Sequence, residues 1–214
     1  MLAPDMLGFG DSEGPPAGAD FETHARVLGA WLDGLEIDDV RLVAQDWGGP
    51  VAMRCAVERL DDVEKLVLIN TTFRPDFRPP AYWRPLVTGA LGELLVVRLR
   101  GVQLALPILM EAARKDPEVR RRYLTDLNRR STRRAVLALE QLSNYRKAMD
   151  RVVEKLEWIH DIPTALIWGT PDPYFGRDEL EWMQGCFRDV QLHVLEGAGH
   201  FPQEDAPAHV TGIL

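Results

Sequence analysis

The chain has 214 residues, of which 46% are hydrophobic and 27% are charged, a composition that is typical of globular proteins and excludes disordered, collagen-like and coiled-coil chains. Its 25 lysines and arginines are outnumbered by 33 aspartates and glutamates. The resulting net charge of −8 argues against a partner such as nucleic acid or an anionic membrane. At roughly 100 to 200 residues per domain, the length predicts one domain, or one domain with an insertion.

The two cysteines indicate the redox compartment, and the apolar stretches indicate whether the chain can span a membrane. Cys55 and Cys186 lie in no CxxC pattern and beside no pair of histidines, so neither a disulfide framework nor a zinc site is indicated. We interpret them as buried thiols in a reducing compartment, which favours a cytoplasmic protein. The most apolar stretch, 101–110, is about half as long as a membrane helix, and we expect no membrane-spanning segment.

Strand-like runs alternate with helical patterns in the first 70 residues. Apolar residues at three- and four-residue steps after Asp20 predict a helix that ends near Gly34. Short apolar runs then predict strands at 40–44 and 65–70, separated by a helix from Gly48 to about residue 59. This alternation is typical of an α/β protein with a mostly parallel sheet and helices on both of its faces.

The alternation breaks at 71–155, where a proline-rich opening leads into helical patterns without a convincing strand. It then resumes with a predicted strand at 163–168, a helix at 178–186 and a second strand at 191–195. A last helical stretch follows Pro202. We therefore predict a core formed by 1–70 and 156–214, with 71–155 as an inserted helical segment.

The segment 44–49 has the pattern small-X-Asp-X-Gly-Gly between a predicted strand and a predicted helix. This pattern predicts a nucleophile elbow, a sharp turn that holds the side chain of Asp46 clear of the backbone. Small residues are needed there because neighbouring chain segments approach closely. The following helix N-terminus favours an anion, and the alternative interpretation is that Asp46 merely caps that helix.

Two further residues follow predicted strands. Asp172 comes just after the strand at 163–168, and His200 lies in a glycine-rich loop after the strand at 191–195. Because the carboxyl ends of parallel strands meet at one edge of a sheet, these side chains can converge with Asp46. The order of nucleophile, acid and base predicts a catalytic triad of Asp46, Asp172 and His200.

An aspartate nucleophile suits attack on saturated carbon. Its carboxyl group has an ordinary pKa of about 3.9 and is already ionised at neutral pH. Serine would give an ether that water cannot cleave, whereas Asp46 gives an ester that water activated by His200 can hydrolyse. Asp172 would orient the imidazole, and backbone N–H groups, including that of Trp47, would hold the oxyanion. No metal or organic cofactor is implied.

Three segments, 1–12, 45–49 and 199–201, resemble the α/β-hydrolase fold family and, within it, the haloalkane dehalogenases. The resemblance covers nearly the whole chain. It implies that 71–155 is a helical cap and that the protein hydrolyses haloalkanes through a covalent aspartyl ester, giving an alcohol and a halide ion. The implied partners are a small-molecule substrate, a haloalkane or an epoxide, and the halide.

The resemblance also assigns halide-binding residues. Trp47 would bind the leaving halide, since an indole N–H can donate a hydrogen bond but cannot accept one. Trp83 is a candidate for the second donor. Some family members carry their acid at the position of Asn70, but an amide stands here, so the acid is placed at Asp172.

Two alternatives stay open. An epoxide hydrolase could use the same Asp46, with protons from Tyr82, Tyr123 or Tyr145, although we interpret each tyrosine as packing with its hydroxyl at the surface. Gln45 before the nucleophile favours a dehalogenase.

The second alternative arises because the resemblance begins late. Family members have earlier strands, one of which carries an oxyanion loop and lies between the strands that match 1–4 and 40–44. We therefore expect an N-terminally incomplete fold with an empty slot in its sheet. Such a chain could be a truncated, non-catalytic remnant or an interaction module that retains the triad.

Overall fold

The computed structural model describes residues 1–104, 110, 115–141 and 144–214, with the side chains of residues 85 and 86 left aside. Four parallel strands form one sheet in which the spatial order follows the chain order. They are β1 (Val40–Gln45), β2 (Val63–Ile69), β3 (Thr164–Thr170) and β4 (Val190–Glu196). The predicted parallel sheet is confirmed.

The described α-helices occupy most of the remaining chain. In chain order they are α1 (Phe21–Gly34), α2 (Gly48–Ala56), α3 (Arg84–Val87), α4 (Gly89–Gly92), α5 (Pro117–Leu127), α6 (Arg130–Glu140), α7 (Tyr145–Glu154), α8 (Leu156–Ile159), α9 (Arg177–Gly185), α10 (Pro202–Asp205) and α11 (Pro207–Ile213). The chain also forms a 3₁₀ turn at Leu60–Asp62 and a π-helical segment at Glu93–Arg98.

No described helix is both long and apolar enough to cross a membrane. Residues 105–109 of the apolar stretch at 101–110 lie outside the described part of the chain.

The two central strands are the most deeply buried. Leu68 lies beside Leu166, and Ile69 lies beside Ile167, in a run of apolar residues that water does not reach. Continuous apolar sequence of this kind is what a parallel strand covered on both faces requires. Since all four strands run the same way, the residues that follow them, Asp46 among them, emerge at one edge of the sheet.

The chain divides into two compact units. We call Phe21–Phe77 with Asn144–Leu214 the sheet unit, and Met1–Asp20 with Arg78–Ser143 the helical unit. These bounds differ from the predicted core of 1–70 and 156–214 and the predicted insertion of 71–155. Interpretation of the helical unit as a cap stays a prediction.

Specific contacts explain why the bounds differ. In the helical unit, Gly18 approaches α6 so closely that a Cβ atom there would lie 2.4 Å from the Cβ of Ala138. In the sheet unit, Arg151 of α7 pairs with Glu22 at 3.1 Å, which ties that helix to α1. Contacts of these kinds depend on tertiary packing and leave no periodic trace in the sequence.

The predicted strand at 1–4 does not form. The backbone there makes no ladder, and a local loop forms next to it, in which Asp11 N–H donates to Asp5 Oδ2 at 3.0 Å and the Ser12 hydroxyl donates to Asp5 O at 2.8 Å. In the sheet unit, β1 forms one edge of the described four-stranded sheet.

Candidate active site

The turn between β1 and α2 has the geometry of a nucleophile elbow. Asp46 has a φ of +49°, in the left-handed region that few residues other than glycine and asparagine adopt readily. Its N–H donates to the carbonyl of Asn70 at 3.1 Å, and the Thr71 hydroxyl donates to the carbonyl of Asp46 at 2.5 Å. The chain after β2 therefore holds this strained turn in place.

Asp46 does not cap α2. The residue at the N-cap position is Trp47, and no side chain makes a capping hydrogen bond there. The alternative interpretation of Asp46 as a helix cap is therefore wrong, and 28% of its side chain is open to solvent.

The elbow requires glycine at position 49. A Cβ atom on Gly49 would lie 1.9 Å from Oγ1 and 2.8 Å from Cβ of Thr71, the residue whose hydroxyl holds the Asp46 carbonyl. Gly48 differs, since a Cβ atom there would meet only Ala44, at 4.0 Å.

We expect Gly49→Ala to destabilise the fold by about 2 kcal/mol or more, because the new methyl group forces Thr71 out of place. Gly48→Ala is the matched control and is expected to leave stability unchanged or to raise it by up to about 1 kcal/mol. Urea unfolding midpoints of the two variants and the parent measure the difference. Equal midpoints for both variants would contradict this account of the elbow.

The structure brings the three predicted triad residues together. His200 Nδ1 lies 2.9 Å from Asp172 Oδ2, and His200 Nε2 lies 3.6 Å from Asp46 Oδ1. The side chains of Asp172 and His200 are almost completely buried. The second oxygen of Asp172, Oδ1, accepts the backbone N–H groups of Tyr174 and Phe175 at 2.7 and 3.2 Å. Asp172 is thus held rigidly on one side and faces the imidazole on the other.

Asn70, at the end of β2, supports the acid. Its Oδ1 accepts the N–H of Gly169 at 2.7 Å, and its Nδ2 donates to the carbonyl of the same residue at 2.9 Å. Nδ2 also lies 2.6 Å from Asp172 Oδ2, the oxygen that faces His200. From the sequence, Asn70 was recognised only as an amide in place of an acid. One sequence signal for this role was available. Asn70 is a polar residue directly after a buried strand, and the next predicted strand along the chain is the one that Asp172 follows.

The histidine loop packs tightly against β3. A Cβ atom on Gly169 would lie 2.1 Å from the carbonyl oxygen of Gly199. The imidazole of His200 is surrounded by the rings of Tyr174, Phe175 and Phe201, with centroids 5.4, 5.7 and 4.7 Å away. This close packing fixes the loop and leaves the ring little freedom to move.

Gln45, the last residue of β1, also contacts the histidine. Its side-chain Nε2 donates to the carbonyl oxygen of His200 at 3.0 Å and lies 3.4 Å from Nε2 of the imidazole. From the sequence, Gln45 was recognised only as a mark of family resemblance. A neutral amide before a nucleophile carries no sequence signal for this contact.

Trp47 belongs to an aromatic cluster in the sheet unit. Its indole meets four rings in edge-to-face contacts with centroids 5.5 to 6.5 Å away, those of Phe21, Phe77, Tyr145 and Phe175. Only 6% of Trp47 is exposed. Its surroundings are apolar, as the predicted halide-binding residue requires, and that role stays a prediction.

Trp83 lies within the segment 71–155, which the resemblance implied to be a helical cap. It lies in the helical unit, and its indole N–H donates to Glu140 Oε2 at 2.7 Å. A carboxylate already accepts this N–H, so the geometry does not support Trp83 as a halide donor.

Tyr145 departs from the predicted surface position. It lies in the sheet unit with 2% of its area exposed, and its hydroxyl is buried. Burial raises the pKa of the Tyr145 phenol well above its ordinary 10.0, with a further rise from the nearby Glu179. Tyr82, in contrast, is 64% exposed, as predicted for a surface tyrosine.

Burial is the largest influence on the pKa of the nucleophile Asp46. Removal from water raises the pKa of Asp46 above its ordinary 3.8, and the negative charge of Asp172 adds to the rise. His200 and the backbone N–H of Trp47 act in the opposite direction and lower this pKa. A carboxylate that has lost part of its hydration is a better nucleophile than one surrounded by water.

The sequence pattern of the alpha/beta hydrolase fold family matches residues 1–207. Haloalkane dehalogenase 2 of Mycobacterium tuberculosis (strain H37Rv) is 33% identical over 219 residues, which cover 100% of this chain and 76% of that protein. The haloalkane dehalogenase of Agrobacterium fabrum is 25% identical, with 100% and 74% covered.

The solved structures add evidence about the fold. Haloalkane dehalogenase DatA from Agrobacterium tumefaciens C58 superposes with a TM-score of 0.83 at 23% identity, over 98% of this chain and 76% of that one. A thermophilic esterase from Thermogutta terrifontis superposes with a TM-score of 0.77, also at 23% identity, over 98% and 76% of the two chains. The family match and the 33% identical relative show that this chain belongs to the α/β-hydrolase fold family, as a haloalkane dehalogenase-like member.

Proposed function

We propose that this protein hydrolyses carbon–halogen bonds of haloalkanes, giving an alcohol and a halide ion through a covalent ester on Asp46. The observation that carries the proposal is the relay at the sheet edge, in which His200 lies 3.6 Å from Asp46 and 2.9 Å from Asp172. Membership of the haloalkane dehalogenase-like proteins supports the choice of substrate.

In the first step, an oxygen of ionised Asp46 attacks the carbon that bears the halogen. A new carbon–oxygen bond forms as the carbon–halogen bond breaks, and the halide leaves with the bonding electron pair. The indole N–H of Trp47, adjacent to the nucleophile in the chain, would stabilise the departing anion in apolar surroundings. This step needs no base.

In the second step, His200 Nε2 takes a proton from water, and the water oxygen attacks the ester carbonyl of Asp46. Asp172 stabilises the resulting imidazolium, and the backbone N–H of Trp47 would stabilise the oxyanion. The bond between the carbonyl carbon and the alkoxy oxygen then breaks. His200 gives this proton to the departing alkoxide, which leaves as the alcohol, and the carboxylic acid formed on Asp46 releases its own proton to solvent, so that the carboxylate is restored.

Opening of an epoxide by the same Asp46 would need a group that protonates the ring oxygen. In the sheet unit, the hydroxyl of Tyr145 is buried, and the raised pKa of its phenol makes it a weaker proton donor than an ordinary tyrosine. This arrangement gives the epoxide alternative no specific support.

The test is halide release by the purified protein from 1,2-dibromoethane and 1-chlorobutane, compared with diol formation from styrene oxide. We expect halide and the corresponding alcohol in equal amounts, and no diol. Diol without halide would identify an epoxide hydrolase. Neither product from folded protein, as judged by circular dichroism, would favour the non-catalytic alternative.

A further inference from the structure

We propose that Gln45 is a positioning residue that holds His200 in the tautomer and orientation needed for the hydrolytic half of the reaction. The inference rests on the proposed function and assigns a role to a residue that lies outside the triad. Its basis is the pair of contacts from one nitrogen, Gln45 Nε2, to the carbonyl oxygen and to the imidazole Nε2 of His200.

The carbonyl contact fixes which end of the amide faces the histidine. A backbone carbonyl oxygen can only accept a hydrogen bond, so the amide group that lies 3.0 Å from it must be the NH₂ of Gln45 and not its oxygen. The reversed amide would place two acceptor oxygens against each other.

The same NH₂ group favours one tautomer of the imidazole. It lies 3.4 Å from His200 Nε2 and can only donate, so it is compatible with an Nε2 that carries no proton. The ring proton is then on Nδ1, which lies 2.9 Å from Asp172 Oδ2. Gln45 and Asp172 therefore favour the same tautomer from opposite sides of the ring, and that tautomer is the one able to accept a proton from water.

The carboxylates near the ring favour a different state. Asp172 lies 2.9 Å from Nδ1 and Asp46 lies 3.6 Å from Nε2, and both stabilise a protonated imidazolium. In that state Nε2 would pair with the nucleophile, so that Asp46 loses reactivity and His200 is no longer a base. The donor group of Gln45 opposes this pairing, because an N–H cannot bond to a protonated Nε2.

The 3.4 Å separation suits a temporary contact. It is longer than an ordinary N–H hydrogen bond, so a water molecule can displace the amide from Nε2 at low cost, while the 3.0 Å bond to the carbonyl keeps Gln45 in place. Gln45 thus holds the imidazole until water arrives at the ester.

The test compares Gln45→Met, which keeps the chain length without the donor, and Gln45→Glu, which replaces the donor by an acceptor. Arg41→Met, at an exposed position of the same strand, is the matched control. The two half-reactions are separated by rapid-quench measurement of the first halide released and of ester breakdown. The ¹⁵N shifts of the His200 imidazole report its tautomer and its titration midpoint.

For Gln45→Met we expect ester breakdown to slow about fivefold to tenfold, the effect of one neutral hydrogen bond, while the first halide release at alkaline pH stays within about twofold of the parent rate. The titration midpoint of His200 should move to higher pH, and further still for Gln45→Glu. The Arg41→Met control should change neither rate nor midpoint.

An unchanged titration midpoint and unchanged ester breakdown in Gln45→Met would overturn the proposal. Equal slowing of both half-reactions, in proportion to a loss of folded protein, would also overturn it, since that result marks a purely structural role. If the parent protein releases no halide, the proposed function fails, and the ¹⁵N titration still decides whether Gln45 controls the state of His200.

Discussion

Replacement of Asp46 by asparagine is expected to abolish halide release from a bromoalkane, with a loss of about four orders of magnitude or more. The amide oxygen of asparagine carries no negative charge and cannot displace a halide from saturated carbon. Halide release under single-turnover conditions measures the effect. The control is Asp161→Asn, which alters an exposed aspartate that pairs with Arg188 and should leave the rate unchanged. Halide release by Asp46→Asn at the parent rate would refute the aspartyl-ester mechanism.

The same substitution is expected to make the protein more stable at neutral pH. Burial raises the pKa of Asp46 above 3.8 in the folded state, so the folded protein binds this proton more tightly than the unfolded chain does. Ionised Asp46 therefore lowers stability at any pH above its folded pKa, and this penalty disappears as the pH falls to 3.8 and below. Asparagine removes the charge and tolerates the φ of +49°.

Urea unfolding of the parent and of Asp46→Asn, at neutral pH and in acid, measures this difference. We expect a higher midpoint for the variant at neutral pH and nearly equal midpoints in acid. A variant that is less stable at neutral pH would contradict the origin assigned to the pKa shift. A substitution that lowers activity while it raises stability is expected where the fold buries a charged group that the reaction needs.

The elements of the sheet unit could be predicted because their patterns are local. The apolar periodicity after Asp20 predicted a helix to Gly34, and the structure has Phe21–Gly34. The apolar run at 40–44 became β1, and the run at 163–168 became β3, each extended at its carboxyl end. Burial of the central strands on both faces requires such runs, so their sequence reveals them.

The units themselves were less predictable. The run at 1–4 was assigned as a strand by family resemblance, but a strand exists only where a neighbour pairs with it, and local hydrogen bonds around Asp5 form instead. The approach of Gly18 to Ala138 likewise depends on packing between segments far apart in the chain. Neither kind of contact can be read from periodicity.

The site was predictable to the extent that strand ends determine it. Asp46, Asp172 and His200 follow parallel strands, and the topology alone brings the ends of those strands to one edge. The hydrogen-bond partners of individual side chains could not be predicted in this way. The bond from Trp83 to Glu140 and the contacts of Gln45 with His200 depend on rotamers and on a few tenths of an ångström.

The covalent ester provides the most direct test of which residue acts in which step, Asp46 in ester formation and His200 in ester hydrolysis. We expect His200→Ala to release one halide per active site in a burst and then to stop. Asp46 can still attack the haloalkane, because that step needs no base, whereas hydrolysis of the ester needs the proton acceptor that alanine lacks. Steady turnover should fall by about three orders of magnitude or more.

Mass spectrometry of His200→Ala after exposure to a bromoalkane should find the alkyl group on the peptide that contains Asp46. His200→Gln serves as a second variant, because its amide can still donate to the buried Asp172 while it cannot act as a base. His209→Ala, at an exposed position, is the control and should turn over normally. Continued turnover by both His200 variants at the parent rate would show that the imidazole does not release the product. Loss of both the burst and steady turnover would show that His200 also acts in the first step. The alkyl group can accumulate on Asp46 only if the ester forms without His200.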